Sequence, residues 1–182
     1  MFNKGLSLEQ APPVGVPFRF FLSAPLFGVL ISLVFLFFPF AEVSNQYSPK
    51  AIGTVHLFTL GILSMIIFGA MQQMMPVLAS AIIKKPKLFA NIVHPSLVLG
   101  TLFMSFSFIL ELRFFLHIGV LFLAISFLTF FAVSIRLLFK VEFLTSTVKA
   151  MRLFSVAGLI TLILGLIIAI SHITLNFSTH YY

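Results

Sequence analysis

Residues 51–78 read AIGTVHLFTLGILSMIIFGAMQQMMPVL, an apolar run with a single imidazole, His56, near its start. The run exceeds the ~20 residues that carry a helix across the hydrocarbon core of a bilayer. It therefore decides the fold class: a membrane helix rather than a strand or a soluble core helix. An ionisable ring inside such a helix is costly and invites a functional explanation.

The rest of the chain repeats the pattern. Of 182 residues, 60% are hydrophobic and 8% charged, against the ~25% charged residues usual for a soluble domain. The expected fold is all-α, a polytopic bundle forming a single transmembrane domain over 1–182. Its five helices are expected at about 16–40, 51–83, 90–110, 114–139 and 153–175. The first run is too long for a cleaved leader, and Pro39 and Glu42 follow it, so it reads as a retained helix. Pro76 is expected to kink or end the second helix. Polar breaks separate the runs: 42–50 with Pro49, the KKPK of 84–87, the very short 111–113, and 140–149. The shortness of 111–113 makes the third and fourth helices antiparallel neighbours.

With five spans, one side of the membrane receives Lys4, Arg19, Lys84, Lys85, Lys87, Arg136, Lys140, Lys149 and Arg152, and the other only Lys50 and Arg113. By the positive-inside rule the N-terminus is cytoplasmic and the C-terminus outside. Topology explains the net charge of +7, so nucleic acid is not an expected partner. The lipid bilayer is, with localisation to a bacterial inner membrane. Cysteine is absent, which excludes disulfides, thiolate metal sites and covalent c-type haem. The four acids, Glu9, Glu42, Glu111 and Glu142, lie outside the apolar runs, which argues against a proton-coupled pump.

The topology assigns each histidine a depth. His56 is six residues past Lys50, about 9 Å below the outer surface, and His117 four past Arg113, about 6 Å below it. His172 is twenty past Arg152, about 30 Å up from the cytoplasmic side and so again near the outer face. His94 lies about 10 Å from the inner face, beside Pro95 at an expected helix start, and His180 is in the tail. Three helices thus bring His56, His117 and His172 to one level. Electron-transfer haem takes two axial ligands, often histidine, and neutral imidazole suits iron. His56 is the leading ligand, with His172 or His117 opposite. Gly53 lies one turn before His56, with Thr59 and Leu60 one turn after it, where a flat ring would pack. Ser64 follows two turns on. The alternative reading of each polar residue is ordinary: an interhelical hydrogen bond for the histidines, close helix packing for Gly53, Gly61, Gly69, Gly158 and Gly165.

The motifs HLFTLG at 56–61 and GAMQQMMPV at 69–77 resemble the haem-bearing helix of heme-copper oxidase subunit I-like proteins. The closest flavour is an oxidase-like group with H-x-x-T-L-G and G-A-x-x-Q-x-x-P-V. The opening VPFRFFLSAPLFG at 16–28 is similar to its first helix. The likeness covers roughly residues 16–80. It implies that His56 matches the low-spin haem ligand, with haem b as cofactor. The family's oxygen chemistry needs a larger histidine set, including an adjacent pair for copper, on a much larger bundle. This chain has five histidines and no adjacent pair, and Ser96 and Leu97 follow His94-Pro95, so the copper site is not encoded. The family's second low-spin ligand lies on a later helix; His172, His117 or another subunit takes its place, or the chain is half of a larger unit. A homodimer or other membrane subunits are the expected partners. The resulting expectation is a membrane b-type haem protein for electron transfer or for gas or redox sensing, without oxygen reduction. The alternatives are a haem-free accessory or assembly subunit and, with least support, a small transporter.

Overall fold

A computed structural model describes residues 8–178, with side chains over 9–168. Those residues are helical, with no strand among them. After a 3-10 turn at Leu8–Gln10, α1 runs Gly15–Phe37, α2 Phe40–Ser44, α3 Pro49–His56, a π-helical segment Leu57–Ser64, α4 Met65–Ala79, α5 Pro86–Ile109, α6 Arg113–Leu138 and α7 Ser146–Ser178. α3, the π segment and α4 form one continuous helix. Five helices are long and apolar enough to span a membrane: Gly15–Phe37, Pro49–Ala79, Pro86–Ile109, Arg113–Leu138 and, over the described side chains, Ser146–Ile168. The chain is an integral membrane protein.

The boundaries follow local chemistry. Phe38 is extended (φ −114°, ψ 146°), as a residue before proline prefers, so α1 stops short of 40 and the short α2 begins beyond Pro39. Ser48 caps α3 by accepting from the Ala51 N–H at 3.2 Å, with Pro49 in the first turn. Pro76 lies inside α4 and does not end it. The helix closes three residues later, where Ser80 turns left-handed (φ 52°) and the Ser80 and Ala81 N–H groups fold back on the Met75 carbonyl. α5 begins at Pro86, earlier than the expected 90. Proline is allowed in a first helical turn, so the KKPK segment starts the helix rather than separating it. His94-Pro95 consequently falls within α5, not at its start. α7 begins at Ser146, ahead of the expected 153, with Thr145 Oγ accepting from the Val148 N–H at 3.2 Å. Arg152 reaches back from α7 to the Leu138 and Val141 carbonyls at 2.7–3.0 Å and lies over the Phe139 ring.

α5 and α6 are the antiparallel neighbours expected from their three-residue connection, turned at Glu111 (φ 57°). Gly100 faces Leu123 and Gly119 faces the Met104 backbone, which fixes their register. α1 packs on α4 and the π segment, α3 on α5, and α7 on α6. Phenylalanines fill the centre: Phe68 stacks on Phe130 at 3.7 Å and 3°, with Phe127 and Phe131 edge-on around them. At one end Lys50 pairs with Glu42 at 2.7 Å and reaches Glu111 at 3.9 Å, tying the α2–α3 corner to the α5–α6 turn.

Candidate functional site

His56 is the last residue of α3, where the backbone opens from α to π geometry. π turns are rare and concentrate at functional sites. The wider register is visible in the Ser64 hydroxyl, which donates five residues back to the Thr59 carbonyl at 3.0 Å. The half-buried His56 ring is held twice. Nδ1 lies 2.7 Å from the Ile52 carbonyl, an acceptor only, so Nδ1 carries the proton and donates. The ring stacks on Phe108 of α5 at 5.4 Å and 20°. A fixed Nδ1–H leaves Nε2 as a lone-pair donor, the tautomer a metal-binding histidine needs.

His56 borders a cavity of about 500 Å³ between the π segment, α5, α6 and α7. Leu60, Met104, Leu123 and Phe127 line it, with Phe131 and α7's Gly158, Thr161 and Gly165 on the far side. The volume falls within the ~300–1,000 Å³ range of pockets that enclose small ligands. Among the described residues Thr161 is the only polar side chain in the lining apart from the imidazole, and its hydroxyl donates to the Ala157 carbonyl at 2.8 Å. A methyl group added at Gly165 would meet nothing within 4 Å among the described residues, so there α7 leaves open space on the cavity side.

The expected site residues distribute unequally. Gly53 does not face the cavity: its surface is taken by α5, whose Ser105 carbonyl and Ile109 side chain would lie 2.6 Å from an added Cβ. Its role is close helix packing. Gly61 and Gly69 likewise accommodate α1, through Phe27 for the first and Phe20, Phe21 and the Pro17 carbonyl for the second. Of the residues expected beyond His56, Leu60 reaches the cavity, and neither Thr59 nor Ser64 lines it. The Thr59 hydroxyl donates to the Val55 carbonyl at 2.8 Å.

His117 is exposed, its Nδ1 3.2 Å from the Arg113 carbonyl. It stands one turn before Val120 and two before Ala124, both of which line the cavity, and so shares their stripe of α6. With Gly119 opposite Met104, the antiparallel register sets His117 across from about Phe106, within ~3 Å in depth of Phe108 at 1.5 Å per residue. His56 and His117 are therefore at a common level, but His117 is not among the residues that line the cavity. The His172 side chain lies outside the described residues, and so does His180. His94 is elsewhere, between α1 and α5. The Ser23 hydroxyl donates to the Arg19 carbonyl at 3.0 Å, so His94 Nε2–H donates to Ser23 Oγ at 2.8 Å, and the ring meets Phe20 edge-on. It joins a polar contact completed by Arg19 donating to Asn91 at 2.6 Å.

Sequence reasoning missed the walls contributed by Met104, Leu123, Phe127 and Thr161. Hydropathy gives a cavity-facing leucine the same value as a lipid-facing one. Among the described residues no three His, Asp or Glu side chains gather closely enough to enclose a metal ion. No family model, curated protein or solved structure matches the chain.

Proposed function

We propose that this protein binds a b-type haem in the cavity beside His56 and serves electron transfer, or gas or redox sensing, without reducing oxygen. The carrying observation is the His56 imidazole: Nδ1–H committed to Ile52, Nε2 without a described partner, on the edge of an apolar cavity of about 500 Å³. This chemistry fits a single axial ligand in a dry pocket, and the haem-like motif at 56–61 points the same way. A bound haem supplies one-electron iron redox chemistry. The chain supplies the rest. Ile52 and Phe108 hold the imidazole plane, the aliphatic and aromatic walls keep water away, Gly158 lets the Phe131 ring pack close against α7, and Gly165 leaves α7 without bulk on the facing side.

The second axial position belongs to His117 or His172, or to another subunit. His117 has the level and the stripe. Position 172 follows Gly165 by seven residues in α7, two helical turns on and close to the same face. Among the described residues no carboxylate lines the cavity, which favours electron traffic over proton-coupled reduction of oxygen. The basic loops favour an N-terminus in the cytoplasm of a bacterial cell, with the cavity toward the outer side. A homodimer or another membrane subunit would complete the bundle.

The test is optical. Purified in detergent from cells supplied with haem, the protein is expected to show a Soret band and a reduced-minus-oxidised difference spectrum. Both are lost in His56→Ala, while His117→Ala or His172→Ala converts the low-spin spectrum to a high-spin one. A colourless wild type refutes this reading. It would favour a haem-free accessory subunit, which has its own supporting observation: no second histidine among the described residues lines the cavity.

A further inference from the structure

A second, smaller cavity lies at the other end of the bundle, where the segment before α1 crosses the end of α4 and the start of α5. Its volume is about 130 Å³, room for about four waters at ~30 Å³ each. Gln10 and Gln72 both line it, and both side-chain oxygens are buried without a hydrogen-bond partner among the described residues. Gln72 is wholly buried, and its amide nitrogen is already donated to the Phe68 carbonyl at 3.3 Å, so the oxygen is the end left over. Buried polar atoms are normally satisfied, and each exception calls for a partner.

The lining has a one-sided chemistry. Pro12, Pro13, Pro76 and Pro86 all border it, and proline offers a carbonyl but no N–H. The prolines bring no N–H donor, and the two glutamine oxygens are left over as acceptors, so the space asks for a donor group. A bare metal cation is a poor occupant, because among the described residues no carboxylate lines the cavity to neutralise it, whereas an ammonium joined to a phosphate brings its own counter-charge. Lys84 and Lys85 precede Pro86 and Lys87 follows it in the first turn of α5, all three exposed. A primary ammonium carries three N–H donors, and a phosphate a few bonds away from it would meet those lysines. We infer that this cavity receives the ammonium of a phosphoethanolamine lipid headgroup, with Gln72 and Gln10 accepting its N–H groups and the 84–87 lysines holding its phosphate. Basic clusters at the membrane surface are recurrent headgroup sites. The acceptor pocket adds the selection for a primary amine.

The experiment compares lipids that share a phosphate and differ in the amine. Thermal unfolding of the delipidated full chain in detergent is followed with phosphatidylethanolamine, phosphatidylcholine, phosphatidylglycerol or soluble phosphoethanolamine added. The expected result is a rise of several degrees with phosphatidylethanolamine over phosphatidylcholine, whose quaternary nitrogen has no N–H. The preference is expected to vanish in Gln72→Met, which preserves volume, and to weaken in Gln10→Leu. Equal stabilisation by phosphatidylcholine or phosphatidylglycerol in the wild type overturns the proposal without recourse to any variant. So does an undiminished preference in Gln72→Met, and so does an equal effect of the soluble headgroup, which would remove the lipid.

Discussion

Gly53 and Gly165 are one residue type in opposite circumstances. At Gly53 an added Cβ would lie 2.6 Å from the Ser105 carbonyl, a backbone atom that cannot swing aside. At Gly165 it would meet nothing within 4 Å among the described residues. Gly53→Ala is expected to cost about 1–3 kcal/mol, the range for overpacking. Gly165→Ala is expected to be neutral, or to gain up to ~1 kcal/mol, because alanine favours a helix over glycine. Thermal unfolding in detergent checks both. The pair also marks how far the sequence could be read at this scale. His56 stood out because a polar ring in a hydrocarbon run is rare. The spacing of glycines did not say which of them face a helix and which a cavity, because that depends on the partner brought against each one. Only packing separates Gly53, pressed on α5, from Gly165, with open space before it.

At the scale of elements, the four-residue advance of α5 and the seven-residue advance of α7 have one cause. Hydropathy finds the part of a helix that lies in lipid, and polar first turns lie outside it. Lys85 and Pro86 open α5, and Lys149 and Arg152 occupy the first turns of α7. The five apolar cores were legible because the hydrocarbon imposes their length. The short α2 was not, since its five residues carry no periodic signal. The π segment was not either, because its sequence LFTLGILS suits an ordinary helix equally well. Arg152 ties the α6–α7 corner together by donating to the carbonyls of Leu138, the last residue of α6, and of Val141 beyond it. Hydrogen bonds from a charged donor contribute about 1.5–3 kcal/mol. Arg152→Gln is expected to lose roughly that much stability, and hydrogen exchange at residues 138–148 is expected to rise while that of α3 stays unchanged.

At the scale of the whole molecule, the absence of cysteine makes orientation directly measurable. Single-cysteine variants report which side each loop faces. Lys85→Cys is expected to resist an impermeant maleimide added to intact cells, and Lys50→Cys and Arg113→Cys to react with it. The opposite pattern would invert the topology. The five spans are joined so that the second one, Pro49–Ala79, touches α1 on one side and α5 on another, and the wide turns after His56 sit in its middle. That placement makes the π segment a phase setter for the bundle. Removing one residue from Leu57–Ser64 would rotate everything before the deletion by about 100° against everything after it. If α4 kept its grip on α1, His56 would swing off the cavity and Gly53 off α5 together. The orientation of the imidazole and the seating of its helix are therefore one quantity, inherited as a unit. Length changes in this stretch would be tolerated far less well than substitutions of its individual side chains.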